Sequence, residues 1–492
     1  MNEGQSMSSS IFARKKEIRL LTDIYEAKEP SFLLVHGRRR IGKTYLVREF
    51  FKQTQALFFH LTGIQGGSIA EQLSAFYREF CDKFPNDAPK KVPKNWQDAF
   101  YELWLVVKKL SPKRKVVIFL DELPWLATPK SRCVQALDYF WNRYLSGQKN
   151  VILVVCGSAA AWMIDKILND TGGLHGRVTH EIPLRPFTLG ESLEFLTQKG
   201  VHFSVQNLAD LYMVTGGVAK YLEWVQPGES ISQAISRLCF SVRGPLTTEF
   251  DRLFRSLFKN YGAHTQIVRA LAKKKSGLTH TELSKELKLG SGGTLSKSLK
   301  ELELSGFIQK VAQFGKGKKK ENTYILADEY SIFYLKWIAP ITDIDLDTDE
   351  PTYWMKQQNT AAWKAWKGFA FERLCLKHIE KIKRALGILG VITRTSKWIH
   401  KTSNPREKGA EIDWVIDRDD NAINLFEAKY STDSFNLTKE IAEELRHKKT
   451  CFVNETGTKK AVFTTLITPY GARKNGHYLS SVDQQLSLED FI

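Results

Sequence analysis

The sequence predicts an α/β protein of several domains, with a parallel sheet first and a smaller α/β domain last. Three observations carry this. Short apolar runs at 31–35, 116–120 and 151–156 end abruptly in polar or glycine residues, as strands of a parallel sheet buried on both faces do. The first run leads into the segment GRRRIGKT at 37–44 and then into apolar residues at helical spacing. Near the C-terminus, residues 411–416 and 423–430 alternate apolar and polar, which reads as two paired strands.

Composition sets the bounds. A chain of 492 residues suggests about three or four domains. A hydrophobic content of 42% and 12 Trp argue for folded domains rather than disorder. The formal charge of +18 favours a polyanionic partner, nucleic acid before an acidic membrane surface. The cysteines Cys81, Cys133, Cys156, Cys239, Cys375 and Cys451 form no C-x-x-C pair, so a zinc ribbon is not expected. They read as small core residues in a reducing compartment. The first ten residues are polar, and no apolar run approaches the roughly 20 residues a membrane helix needs. A cytoplasmic location without membrane insertion is expected.

The first run, Ser31-Phe32-Leu33-Leu34-Val35, is the strand that precedes the loop. G-x-x-x-x-G-K-[ST] is complete at 37–44, and its strand–loop–helix context is the one the motif requires. Gly37 and Gly42 let backbone N–H groups fold around phosphate oxygens. Lys43 is placed to reach the β- and γ-phosphates, and the Thr44 hydroxyl to take one Mg2+ position. The ligand expected is ATP with Mg2+. Arg38, Arg39, Arg40, Ile41 and the following Tyr45 complete the candidate nucleotide contacts. The arginines read either as solvated loop tips or as a second grip on phosphate.

The second run, 116–120, ends in Asp121-Glu122. At the C-terminal edge of a parallel sheet, Asp121 suits a Mg2+ ligand and Glu122 the group that activates the attacking water. The third run is followed by Gly157-Ser158. Ser158 reads as a sensor of the γ-phosphate or, equally, as an N-cap of the next helix. Arg177 follows in His175-Gly176-Arg177, either as a cation for γ-phosphate charge, in its own or a neighbouring subunit of a homo-oligomer, or as an ordinary surface arginine.

These segments together resemble the prokaryotic AAA-type ATPases called the archaeal ATPase family, of the signal-transducing (STAND-like) branch. The resemblance rests on FARKKEI at 12–18, GRRRIGKT, FLDELPWL at 119–126, GSAAAWM at 157–163, HGR at 175–177, PLRPF at 183–187 and TGGVAKYL at 215–222. It implies an AAA-type P-loop ATPase core at 10–190 and a helical lid at 191–258. It also implies that Arg14 lies near the adenine and that Thr215-Gly216-Gly217 opens a lid helix. Ala219 stands where the family usually has Pro, which weakens a nucleotide-sensing role for that turn.

Residues 259–330 predict a winged helix-turn-helix. Residues 266–271 form an amphipathic helix. Thr279 and Glu282 make a capping box that starts a second, and a third spans 294–305 with Lys297 and Lys300 off its apolar face. Two β-like runs, 307–314 and 322–326, flank Gly315-Lys316-Gly317-Lys318-Lys319-Lys320. On DNA the third helix would enter the major groove, and Lys316, Lys318, Lys319 and Lys320 would lie along phosphates. Such a module also serves for protein contact; the lysine tip favours DNA.

Residues 331–366 are expected to link the domains. In 367–492, Glu372 sits on a helical segment, Asp413 on one alternating run, and Glu427 and Lys429 on the next, sharing a face. A hairpin through 417–422 brings Asp413 beside them. Two acids can hold Mg2+ against a phosphodiester, a neighbouring lysine can stabilise developing charge, and Glu372 can complete the metal shell. The pattern resembles the PD-(D/E)XK restriction-endonuclease-like fold, which such ATPases often carry at this end. The expectation is an ATP-hydrolysing, DNA-binding protein whose nucleotide state governs a Mg-dependent nuclease-like domain. The competing reading is an ATP-dependent switch or DNA-binding regulator with a non-catalytic C-terminal domain.

Overall fold

The computed structural model describes residues 11–169, 174, 176–288, 293–315, 322–341, 352–402 and 408–492. The chain divides into two compact units, 1–186 and 187–492.

The first unit is a five-stranded parallel sheet of β1 (Ser31–His36), β2 (Leu57–Thr62), β3 (Val116–Asp121), β4 (Val151–Gly157) and β5 (His180–Pro183), in the order β2-β3-β4-β1-β5. Every residue of β1, β3 and β4 is buried, which explains why these strands read as unbroken apolar runs. The edge strand β2 alternates instead, with Leu57, Phe59 and Leu61 inward, and its short half-apolar pattern was not legible as a parallel strand. β1 and β4 pair side by side, His36 opposite Gly157. β3 lies next to β4 on the other side. The tips of these three neighbours therefore bring the glycine loop, Asp121-Glu122 and Ser158 to one edge.

The second unit holds the helices from Leu189 onward and an eight-stranded mixed sheet. Its strands are β6 (Leu278–Thr279), β7 (Ile308–Gln313), β8 (Thr323–Leu326), β9 (Thr393–His400), β10 (Ala410–Arg418), β11 (Ala422–Ala428), β12 (Ala461–Ile467) and β13 (Gln484–Leu486). Their order is β13-β12-β11-β10-β9-β7-β8-β6. Helices Tyr261–Lys273, His280–Leu287 and Gly293–Leu304 precede the antiparallel hairpin β7–β8, and the Thr279/Glu282 capping box is present. Lys297 and Lys300 are exposed. Lys316, Lys318, Lys319 and Lys320 lie outside the described residues.

Two features differ from the sequence expectation. The hairpin is not a free-standing module: β7 pairs in parallel with β9 through Ala312↔Ser396 and Gln313↔Lys397, joining both sheets into one. The expected linker is also not a spacer. Phe333, Trp337, Trp354, Trp363 and Trp366 are all buried, with Trp363 and Trp366 stacked at 4.7 Å. Aromatic residues alternating with acids looked like a connector; the aromatics instead bury against one another.

Helix Val205–Thr215 packs along helix Ala361–Lys377, the helix that carries Glu372. His378 caps this contact. Its Nδ1–H donates to Leu374 O (2.8 Å) and its Nε2 accepts from Leu189 N–H (2.9 Å), an arrangement that selects the neutral Nδ1–H tautomer.

Candidate nucleotide and carboxylate sites

The loop at 37–44 is shaped by its neighbours. Gly37 has φ +145°, and a Cβ there would stand 2.2 Å from the Leu184 carbonyl oxygen, so only glycine fits. Lys43 is the first residue of helix Lys43–Lys52 and is buried. Its ammonium donates to Gly37 O (3.0 Å), Arg38 O (2.9 Å) and Ser158 Oγ (2.9 Å). The first two are loop oxygens of the kind that phosphate would replace. Thr44 Oγ1 donates to Asp121 Oδ2 at 2.8 Å. A hydroxyl and a carboxylate oxygen already in contact are a fitting pair of hard ligands for Mg2+.

Asp121 is buried, yet its carboxyl lies below the usual range. Burial pushes it up, but the nearby His60 ring, the Thr44 hydroxyl and the Cys156 thiol outweigh that. Glu122 adopts a left-handed backbone, φ +49°, unusual for a residue with a Cβ. Its carboxylate accepts from Ser158 N (3.0 Å) and Ser158 Oγ (2.5 Å). Ser158 therefore contacts both the loop lysine and the candidate base. It does not cap the following helix Ala160–Met163, which has no side-chain cap.

The three arginines are not solvated tips. Arg38 is buried, Arg39 and Arg40 half-buried, and the Arg39 guanidinium lies 5.8 Å over the Trp125 ring. Arg14 is buried and its Nη2 donates to Ile41 O at 3.1 Å, bracing the loop from outside. Tyr45 is exposed. Arg177 is exposed, and among the described residues no hydrogen bond or ion pair joins its side chain to the loop; His175 lies outside them. His60, not singled out in the sequence, stacks on Phe119 (4.7 Å) with Nε2 3.9 Å from Asp121 Oδ2. Its contact comes from a parallel neighbour strand, invisible to any local motif.

In the second unit, β10 and β11 pair antiparallel with Trp414 opposite Phe426, which sets Asp413 across from Glu427. Asp413 Oδ2 accepts from Ala428 N–H at 2.8 Å. Lys429 Nζ lies 2.7 Å from Glu427 Oε1. A third partner was missed: Lys448, on helix Lys439–Thr456, donates to both Glu427 oxygens at 2.9 and 2.8 Å. These residues, with Glu372, Lys275, Lys397, Lys408 and His447, line a concave pocket of about 550 Å³.

The electrostatics follow from three acids near one another. Burial, then Glu427 and Glu372, hold Asp413 well above the usual carboxylate range. Glu372 is raised by burial and by Glu427. Lys397 is lowered, chiefly by burial. Burial would also lower Lys429 and Lys448, but Glu427 outweighs it and both are raised. Among the described residues no three acids, histidines or cysteines converge closely enough to hold a metal ion, so Glu372 does not join Asp413 and Glu427 as a third ligand. Two oxygen-bearing carboxylates still fit Mg2+, which is commonly held by one or two carboxylates with substrate phosphate and water. A cation there would relieve the part of the Asp413 rise that Glu427 and Glu372 add to burial.

Among the described residues no helix is long and apolar enough to cross a membrane. Residues 11–225 match a family profile described as an ATPase domain predominantly from Archaea. An uncharacterized protein of Methanocaldococcus jannaschii is 22% identical over 448 residues, covering 88% of this chain and 91% of its own. Among solved structures, the Walker-type ATPase PABY2304 of Pyrococcus abyssi is 21% identical, with a TM-score of 0.48 over 68% of this chain and 99% of its own. The Aeropyrum pernix ORC2 protein, solved as ADPNP–ADP complexes, is 13% identical, with a TM-score of 0.39 over 70% of this chain and 94% of its own. The family match alone gives an archaeal-type ATPase domain at residues 11–225, a span that contains the whole parallel sheet and the glycine loop.

Proposed function

We propose that this chain is an ATP-hydrolysing, DNA-binding protein in which nucleotide state governs a Mg-dependent, nuclease-like site in the second unit. The observation that carries the nuclease part is the convergence of Asp413, Glu427 and Lys429 at the floor of a lysine-rimmed pocket.

In the ATPase site, phosphate oxygens replace Gly37 O and Arg38 O as acceptors for Lys43. Thr44 and Asp121 would hold Mg2+, which supplies charge neutralisation on the phosphates. Glu122 orients the attacking water and takes its proton. Ser158 sits between base and lysine, in the place of a γ-phosphate sensor. Arg14 holds the loop on the side implied to face the base.

In the second site, Asp413 and Glu427 would hold Mg2+, which polarises the phosphodiester. Lys429 stabilises charge developing on phosphate, and Glu372 tunes the field of the pair from the neighbouring helix. Lys275, Lys397 and Lys408 on the pocket lining favour a phosphate-bearing ligand. DNA as that ligand rests on the net charge, on exposed Lys297 and Lys300 beside the hairpin, and on the lysines at 316–320.

Plasmid nicking with Mg2+ or Mn2+, with and without ATP, tests the reading. Nicking lost in Asp413→Ala and altered by Lys43→Ala supports it. One observation favours the alternative of a regulator with a non-catalytic C-terminal domain: both Glu427 oxygens are engaged by ammonium groups. No cleavage with either metal, in any nucleotide state, leaves that alternative standing.

A further inference from the structure

Glu427 carries more positive charge than it needs. Lys429 alone, at 2.7 Å, neutralises one carboxylate. Lys448 adds a second ammonium bonded to both oxygens, the bidentate position a divalent ion takes on a carboxylate. Asp413 and Glu372 line the same pocket, so the Lys448 charge enters a site crowded with acids. Lys448 also has somewhere to go. Glu444, one helical turn earlier, lies 3.1 Å from the same Nζ, so leaving Glu427 does not strand a bare buried ammonium.

We propose that Lys448 is the resting occupant of the cation position at Glu427, and that a divalent cation binds there by displacing it toward Glu444. Lys448 is thereby a positioning residue. It keeps Glu427 and Asp413 aligned without metal and sets the cation concentration at which the site loads. Once displaced, its ammonium remains on the pocket wall beside Lys397 and Lys408, where a phosphodiester oxygen would be its next partner. This inference rests on the carboxylate pair being a cation site, the premise of the nuclease reading, but not on cleavage itself.

The test is Mn2+ binding to nucleotide-free, full-length protein, read by calorimetry and by the thermal shift that Mn2+ produces. Removing a competing ammonium within 3 Å should tighten Mn2+ by about tenfold or more in Lys448→Met. The metal-free variant should melt lower than wild type and gain more on adding Mn2+. Lys448→Arg, which keeps the competing charge, should bind Mn2+ about as wild type does. Glu427→Gln should abolish the binding in either background. Should Lys448→Met not fold, Lys448→Gln carries the same prediction. Equal or weaker Mn2+ affinity in the folded neutral variant overturns the assignment, as does absence of Mn2+ binding in every variant. Nicking separates the two ideas. Tightened Mn2+ binding without nicking removes the nuclease reading and keeps Lys448 in this role; nicking with unchanged affinity does the reverse.

Discussion

Lowering the pH from 7.5 to 5 should destabilise the second unit through one side chain, His378. The imidazole is 3% exposed, and both ring nitrogens are committed, one donating to Leu374 O and one accepting from Leu189 N–H. Burial, with smaller help from Lys377 and Lys381, pulls its pKa down to about 4 against the hydrogen bond to Leu374. An unfolded histidine titrates near 6.5, so the unfolded chain takes the proton first. Stability is therefore full above about pH 6.5, falls as the pH drops, and levels below about 4. The linkage amounts to about 2 kcal/mol at pH 5 and roughly 3 kcal/mol in full. His378→Gln keeps an acceptor for Leu189 N–H but cannot titrate. It should cost stability at pH 7.5 through imperfect packing against Tyr212, yet flatten the change between pH 7.5 and 5. The assay is urea unfolding of both proteins at the two pH values, alongside a histidine NMR titration in which the variant identifies the missing signal. Equal losses in both proteins, or a His378 resonance that titrates near 6.5 in the folded state, would refute the reasoning.

Other expectations follow from the same geometry. Glu122→Gln should keep ATP binding while turnover falls by about a hundredfold or more; unchanged turnover in a steady-state phosphate-release assay removes Glu122 as the base. Gly217→Ala places a Cβ 2.1 Å from Phe187 O at φ +71°. It should cost at least about 2 kcal/mol by denaturant unfolding, and a smaller effect would mean the Phe187 segment shifts freely. Replacing Lys316, Lys318, Lys319 and Lys320 with Ala should reduce the salt slope of DNA binding by up to about 3.6, about 0.9 for each lysine; an unchanged slope would sink the wing assignment.

What the sequence revealed depended on how far apart the contacting residues lie. Lys43, Thr44 and the strand that launches them sit within one short segment, so their chemistry was legible from spacing. Asp413 and Glu427 were legible for a related reason: a tight hairpin dictates which residues face each other. Lys448 was not, because its contact with Glu427 joins a helix to a strand 21 residues away, and one lysine in a charged helix carries no local mark. Ser158 could be narrowed only to two roles, since a hydroxyl after a strand serves either; the structure puts it on Glu122 and Lys43. The tryptophans of 331–366 misled because exposure is a property of partners. Trp354 stacks on Phe240, a ring capping a helix far earlier in the chain, only once the chain has folded.

The strand pair β7–β9 bears on how the protein can be made and cut. Its partners are more than eighty residues apart, so a ribosome must release β9 before β7 finds its neighbour, and closure of this sheet waits late in synthesis. A fragment beginning near residue 367 would present β9 as a bare edge, ready to pair with another chain. Ending the chain at residue 330 would bare β7 in the same way. The seam that looks like a domain boundary in the sequence is thus where excision invites aggregation.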